Sequence, residues 1–260
     1  MTVRWIRAAL AAGLVAALGL AACGGADEPA GPDGTGPVTV FAAASLTESF
    51  TTLGKEYQAA HPGSTVRFNF GGSSGLATQI TQGAPADVFA AASPATMKTV
   101  TDAGDAAGEP AVLVRNQLVV AVPRGNPARV GGLADLARPG VKVALCAEQV
   151  PCGAAARTAL DAAGVRLTPA TLEQDVKGAL AKLRLGEVDA ALVYRTDVRA
   201  APGLDAVEFP ESARAVNDYP IVVLCAAGNP AGARAFVDFV RSDAGLAVLT
   251  AAGFQAPPGA

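Results

Sequence analysis

The sequence predicts an α/β fold of two lobes, parallel-type sheets with helices on both faces, joined by two hinge strands. Three observations predict it. Short apolar or β-branched runs alternate with helix-period segments across most of the chain, and the connections between them are short. Two continuous apolar runs, Leu118–Pro123 and Tyr219–Leu224, bracket a second series of the same kind, so the chain should cross between lobes twice. After Leu224 only helix-period segments follow, which returns the C-terminus to the first lobe. Two crossings allow a hinge.

The elements justify this in order. Residues 1–22 carry Arg4 and Arg7, then an apolar run from Ala8 to Leu20, and read as a signal peptide rather than a membrane-spanning helix. Leu20-Ala-Ala-Cys23 resembles a lipobox, in which the cleaved chain starts at a diacylated Cys23; the alternative is an ordinary signal peptide with an incidental Cys. Residues 23–37, rich in Gly, Pro and acids, have little to bury and read as a flexible tether.

The first lobe is expected over 38–118 and is completed by 220–256; the second spans 119–219. Val38–Phe41 reads as a buried strand, and Ser45 with Glu48 forms the S-x-x-E pattern of a capping box opening a helix that carries Leu46, Phe50, Leu53 and Tyr57. His61-Pro62-Gly63 stops it. Thr65–Phe70 alternates as a strand, Gly71-Gly-Ser-Ser-Gly75 turns into a helix over about Leu76–Thr81, and Asp87–Ala91 is a further strand before a Ser93-Pro94 helix start. In the second series come a strand over Val141–Leu145, a helix from Gly153, a helix from about Val176 with Asp175 as N-cap, and a strand over Asp189–Val193. Two closing helices, Ala231–Val240 and Asp243–Ala251, end the chain.

Function is legible at the junctions. Ligands of such sheets sit at the carboxyl ends of the strands, where helix N-termini present unpaired N–H groups and a partial positive charge. Four junctions fit: Ser45, the Gly71–Gly75 turn with Ser73, Val150-Pro-Cys152-Gly153, and Asp175-Val176. Tyr194 ends an apolar strand at the same edge, either with its hydroxyl in the cleft or as a core tyrosine. One such junction signals little, since every helix must start somewhere; two in each lobe describe a cleft lined by neutral donors.

Enzyme readings lack their groups. Gly71-Gly-Ser73-Ser-Gly75 spells G-x-S-x-G but lacks a base, because the one histidine, His61, lies in a helix stop and would have to reach a junction serine across the helix it ends; the same turn has no P-loop lysine. Zinc would have one His and scattered Cys, Asp87 and Asp189 read as structural caps, and Tyr57, Tyr194 and Tyr219 are not adjacent as a ferric site would want. Loss of Arg4 and Arg7 on cleavage takes the formal net charge from -3 to -5, which disfavours nucleic acid. Cys146 and Cys152 would, once exported, either form a short-loop disulfide or remain two buried thiols, while Cys225 reads as an inert small hydrophobe.

Phe41-Ala-Ala-Ala-Ser-Leu-Thr47, Phe70-Gly-Gly-Ser-Ser-Gly-Leu-Ala77, Gly83-Ala-Pro-Ala-Asp-Val-Phe89, Val150-Pro-Cys-Gly153, Asp175-Val-Lys-Gly-Ala-Leu180 and Leu192-Val-Tyr194 together resemble the molybdate-binding proteins of bacterial ABC importers, from about Val38 to Phe254. The resemblance implies a type II periplasmic-binding-protein-like fold, no catalysis, no cofactor and a membrane permease as partner of a lipid-anchored monomer. It also implies a molybdate or tungstate site made of Ser45 and Ser73 through hydroxyl and amide, Cys152 and Val176 through amides, and Tyr194 through its hydroxyl. Cys152 stands where that family often has Ala, which leaves an amide role intact. Sulfate is the alternative cargo, and a serine hydrolase a remote one. Donors without an acceptor suit a full dianion, because hydrogen phosphate would leave its O–H unpaired at a cost of about 1–3 kcal/mol.

Overall fold

The computed structural model describes residues 35–257. The expected signal peptide, Cys23 and most of the tether lie outside the described residues.

The chain runs β1 (Gly36–Ala43), α1 (Thr47–Ala60), β2 (Ser64–Gly71), α2 (Ser73–Thr81), β3 (Val88–Ala90), α3 (Pro94–Asp102), β4 (Ala111–Asn116), β5 (Leu118–Pro123) and β6 (Val143–Cys146). Then follow α4 (Pro151–Ala163), β7 (Thr171–Glu173), α5 (Val176–Arg184), β8 (Ala190–Tyr194), α6 (Arg195–Arg199), β9 (Leu204–Val207), β10 (Asn217–Val223), α7 (Pro230–Arg241) and α8 (Asp243–Ala252). Two five-stranded sheets result, ordered β2-β1-β3-β10-β4 and β7-β6-β8-β5-β9. The chain passes between them at Gln117, and again over 208–216.

Both sheets are mixed rather than wholly parallel. Strands β1, β2 and β3 pair in parallel, as do β6, β7 and β8, but β10 runs antiparallel to β3 and β4, and β5 antiparallel to β8 and β9. The physical reason is the crossing. A strand that enters from the opposite lobe arrives from the cleft side, opposite in direction to the strands whose carboxyl ends face that cleft.

The two sheets therefore share one layout, with β10 in the first holding the place of β5 in the second. The same staple recurs in each. Asp87, just before β3, accepts the Thr39 N–H of β1 at 2.6 Å and the Asn229 N–H at 2.9 Å. Asp189, just before β8, accepts the Lys142 N–H ahead of β6 at 2.8 Å. Each carboxylate satisfies backbone donors at a strand's amino end, opposite the cleft.

Helix α1 buries Phe50, Leu53 and Tyr57 against the first sheet and α7. Phe50 and Tyr57 meet Phe236 edge-on, with ring centroids 6.3 and 5.3 Å apart, and His61 stacks on Tyr57 at 4.2 Å, so the one histidine is a helix-end packing residue.

Several local expectations change. Ser45 does not cap α1: it lies in a 3-10 turn over Ala44–Leu46, the helix starts at Thr47, and no side chain caps that start. Its hydroxyl is held by Tyr219 instead, and Glu48 faces the other lobe. Helix α2 begins at Ser73, earlier than the Gly-rich turn suggested, and β1 takes in Gly36 and Pro37 from the expected tether. Cys225 follows β10 and is exposed, not buried, because the strand ends two residues before it. Asp175 caps α5 by accepting the Gly178 N–H at 2.9 Å.

Candidate functional site

The four junctions occupy matching places in the two lobes. Ser45 follows β1 and Cys152 follows β6; Ser73 follows β2 and Val176 follows β7; Tyr194 ends β8. Because β1 and β6, and β2 and β7, hold equivalent sheet positions, the first turns of α1, α2, α4 and α5 all open toward the gap between the sheets. There Ser45, Ser73, Cys152, Val176 and Tyr194 line one cleft. The cavity there has a volume of about 20 Å³, enough for one small group such as a single tetrahedral oxyanion.

Local sequence explains each wall. Pro151 at the first position of α4 has no N–H to lose, which leaves the Cys152 amide as a first-turn donor. Gly153 is required behind it: a Cβ there would lie 1.9 Å from the Ala147 carbonyl oxygen. Cys146 and Cys152 are joined by a disulfide with Cα atoms 5.7 Å apart, tying the end of β6 to the first turn of α4. Gly71 and Gly72 bring the β2–α2 backbone to the cleft, while Gly75 does not line it.

The polar side chains are arranged as donors. Ser73 Oγ accepts the Ala92 N–H at 3.0 Å, so its own proton is free to point elsewhere. Ser45 Oγ lies 2.8 Å from Tyr219 Oη. Tyr194 is fully buried and its hydroxyl has no hydrogen-bond partner among the described residues. Burial, helped by the neighbouring Tyr219, holds the Tyr194 hydroxyl protonated well above the usual tyrosine range. A buried, unpartnered O–H facing a small void calls for an acceptor.

Among the described residues no cation lines the void. Asp175 lines the void, its carboxylate accepting the Gly178 N–H, and behind the wall Lys177 of α5 pairs with Glu48 of α1 and with the buried Asp197 of α6. Burial alone would lower the Lys177 ammonium, but Asp197 and Glu48 outweigh it and hold the group above its ordinary value. Burial pushes the Asp197 carboxyl up to about 6 against the pull of Lys177.

Sequence reasoning missed Tyr219, Asn116, Lys177 and Asp197. Tyr219 falls in an apolar run, Asn116 where β4 meets β5, Lys177 inside the first turn of α5 and Asp197 in the short α6, for which the sequence predicts no element. Nothing local marks them.

Two lobes closing over a void whose hydrogen-bond donors are uncharged define a solute-binding protein for a small anion. The chain belongs to the family described as bacterial extracellular solute-binding protein, whose model matches residues 38–255. It is 46% identical over 262 residues to the molybdate-binding protein ModA of Mycobacterium tuberculosis, covering 98% of this chain and 100% of that one. Among solved structures, the periplasmic molybdate-binding protein of Azotobacter vinelandii superimposes with a TM-score of 0.71 at 20% identity, over 85% of this chain and 99% of that one. The sulfate-binding protein SubI of M. tuberculosis gives 0.73 at 18% identity, over 86% and 88%. These two share the fold.

Proposed function

We propose that this protein captures molybdate, and also tungstate, on the outer side of the cell membrane and delivers it to the permease of an ABC importer. Ser45 and Ser73 give hydroxyl and amide, Cys152 and Val176 give amides, and Tyr194 gives its hydroxyl. The observation that carries the reading is the convergence of these five, drawn from both lobes, on one oxyanion-sized void with no cationic side chain in its wall, where the one charged residue, Asp175, has its carboxylate turned to capping α5.

Neutral donors hold a dianion without creating an ion pair, so release to the permease needs only lobe opening. Hydrogen bonds to a charged group contribute about 1.5–3 kcal/mol each, and closure and desolvation offset part of the sum. A Kd between about 1 μM and 1 nM follows, equivalent to about -8 to -12 kcal/mol. Fold likeness to a sulfate-binding protein makes sulfate the competing cargo, and void size the discriminator.

Titration calorimetry with molybdate, tungstate, sulfate and phosphate tests the reading. Tight binding of the first two with weak sulfate is expected; a preference for sulfate overturns the assignment.

We also take residues 1–22 to be removed and the protein to be held at the membrane as a monomer by lipid on Cys23, with lobes over 38–118 plus 220–256 and over 119–219. The basic start, apolar run and Leu20-Ala-Ala-Cys23 support the anchor. Mass spectrometry of the mature N-terminus checks it, since an unmodified start other than Cys23 rules it out.

A further inference from the structure

Ser45 can serve a fully deprotonated anion only if its hydroxyl proton points into the cleft, and the neighbouring hydrogen bonds fix that direction. The sequence of donors starts at the backbone. The Gln117 N–H, which can only donate, gives to Asn116 Oδ1 at 2.9 Å. That sets the Asn116 amide so that Nδ2, also only a donor, gives to Thr196 Oγ1 at 2.8 Å and approaches Tyr219 Oη at 3.5 Å. Tyr219 Oη thus receives on the Asn116 side, and its single proton goes to Ser45 Oγ, 2.8 Å away. Asn116 and Tyr219 are each 1% exposed, so no solvent competes for these groups. The reverse arrangement, Ser45 donating to Tyr219, would leave the Tyr219 proton facing the Asn116 amide protons or turned to the neighbouring Tyr194 hydroxyl, which makes no well-formed hydrogen bond.

We propose that Tyr219 is the positioning residue that makes Ser45 a hydrogen-bond donor toward the cleft, and that the Asn116–Tyr219–Ser45 relay thereby sets selectivity for fully deprotonated oxyanions over those that still carry a proton. Tyr219 acts through Ser45 and not on the ligand. The proposal rests on the oxyanion reading of the site and deepens it. On the opposite side of the void the Ala92 N–H does the same for Ser73, so both serines arrive with a lone pair already taken by the protein. An incoming hydrogen phosphate would have to turn one of them round, leaving a protein proton unpaired.

The test is a double-mutant cycle on the complete exported protein, using calorimetry with molybdate and with inorganic phosphate. Tyr219→Phe keeps the ring that stacks edge-on against Tyr194 and Phe254 and removes only the hydroxyl. It should weaken molybdate about fivefold to tenfold while leaving phosphate within about twofold, narrowing the ratio between them. In a Ser45→Ala background the same change should alter molybdate binding by less than about twofold, because the hydroxyl it orients is gone. Thermal melting separates loss of fold from loss of direction. Should Tyr219→Phe fold poorly, Asn116→Leu, which removes the amide that sets the polarity, carries the same test with a loss of about threefold. Equal effects of Tyr219→Phe with and without Ser45, or an unchanged molybdate to phosphate ratio, overturn the relay. A wild-type protein that fails to bind molybdate at all overturns the oxyanion reading instead.

Discussion

Lys177 Nζ, in the first turn of α5, lies 2.9 Å from both carboxylate oxygens of Glu48 in the first turn of α1, an ion pair that bridges the two lobes across the cleft. The same ammonium sits 2.9 Å from Asp197 Oδ1, and Asp197 Oδ2 accepts the Tyr194 N–H at 3.2 Å. Closure, the second lobe's buried carboxylate and the tyrosine at the void are thus mechanically joined through one lysine.

Breaking that bridge should speed release of the ligand without unfolding either lobe. The Glu48 side chain is about half exposed, so the pair contributes about 0.5–1 kcal/mol after solvent screening, and Glu48→Gln should raise the dissociation rate about twofold to fivefold. Glu48→Lys, placing two ammonium groups together, should exceed that. Stopped-flow release of molybdate at two salt concentrations checks it: the wild-type rate rises with salt and the Glu48→Gln rate does not.

The disulfide should matter to stability and binding together. By loop-closure entropy a bridge across this short segment contributes about 2 kcal/mol, and it fixes the helix start that carries the Cys152 amide. Cys146→Ala is expected to lower the unfolding free energy by about that amount and to weaken molybdate several-fold. Denaturant unfolding and calorimetry on the same preparation measure both, and a thiol count on denatured wild-type protein should find Cys225 alone among the three cysteines after Cys23.

What the sequence carried and what it hid divide by range along the chain. Strand-to-helix junctions announce themselves locally, through Gly71-Gly72, through Pro151 at a helix start and through Asp175 as a cap, so the residues lining the cleft could be named. The partners of those residues come from far away: Ser45 and Tyr219 are 174 positions apart, and Lys177 and Glu48 are 129 apart. The S-x-x-E pattern at Ser45 shows the failure in small. Its local chemistry permits a capping box, but Tyr219 holds the hydroxyl and Lys177 the carboxylate. The common layout of the sheets was equally hidden, since strand order leaves no repeat in the residues. The Asp87 and Asp189 staples emerge as counterparts only once the strands are placed.

Asp197, although paired with Lys177, should make stability depend on pH in the direction opposite to a carboxylate whose partner lowers its pKa. Lys177 and Glu48 are its charged neighbours and the Tyr194 and Tyr219 hydroxyls the other titratable groups near it; burial, aided by Glu48, outweighs Lys177 and the Tyr194 N–H to put its folded value at about 6. Unfolded, the group titrates at about 3.9, so between these values the folded state holds more protons and stability falls as pH rises. The loss is on the order of 3 kcal/mol, complete above pH about 6 and absent below about 4. Since other carboxylates titrate too, the readable quantity is the stability of wild type minus that of Asp197→Asn. This difference should decline from pH 4 to pH 7 in chemical denaturation, and a flat difference would contradict the buried-acid account.

Closure itself should hinge on Gly72. Its φ of -61° is open to any residue, so conformational freedom is not the reason for glycine here. The reason is approach: a Cβ at this position would lie 2.3 Å from the backbone oxygen of Gln174, which belongs to the other lobe, and 3.5 Å from the Asp175 Cβ. Backbone on both sides cannot give way cheaply, because Asp175 caps α5 and the Ser74 hydroxyl next door donates to the Gln149 carbonyl at 2.8 Å across the same cleft. Gly72→Ala should therefore leave each lobe folded while holding the two slightly apart, which pulls the Val176 amide away from the Ser73 side of the void. Hydrogen bonds to a dianion fall off steeply with distance, so loss of even one implies a molybdate Kd raised about tenfold to a hundredfold. The melting temperature without ligand should be unchanged, the stabilisation on adding molybdate should shrink, and small-angle scattering of the saturated protein should show a larger radius of gyration than wild type. Wild-type affinity in Gly72→Ala would mean that the lobes need not meet here for the anion to be held.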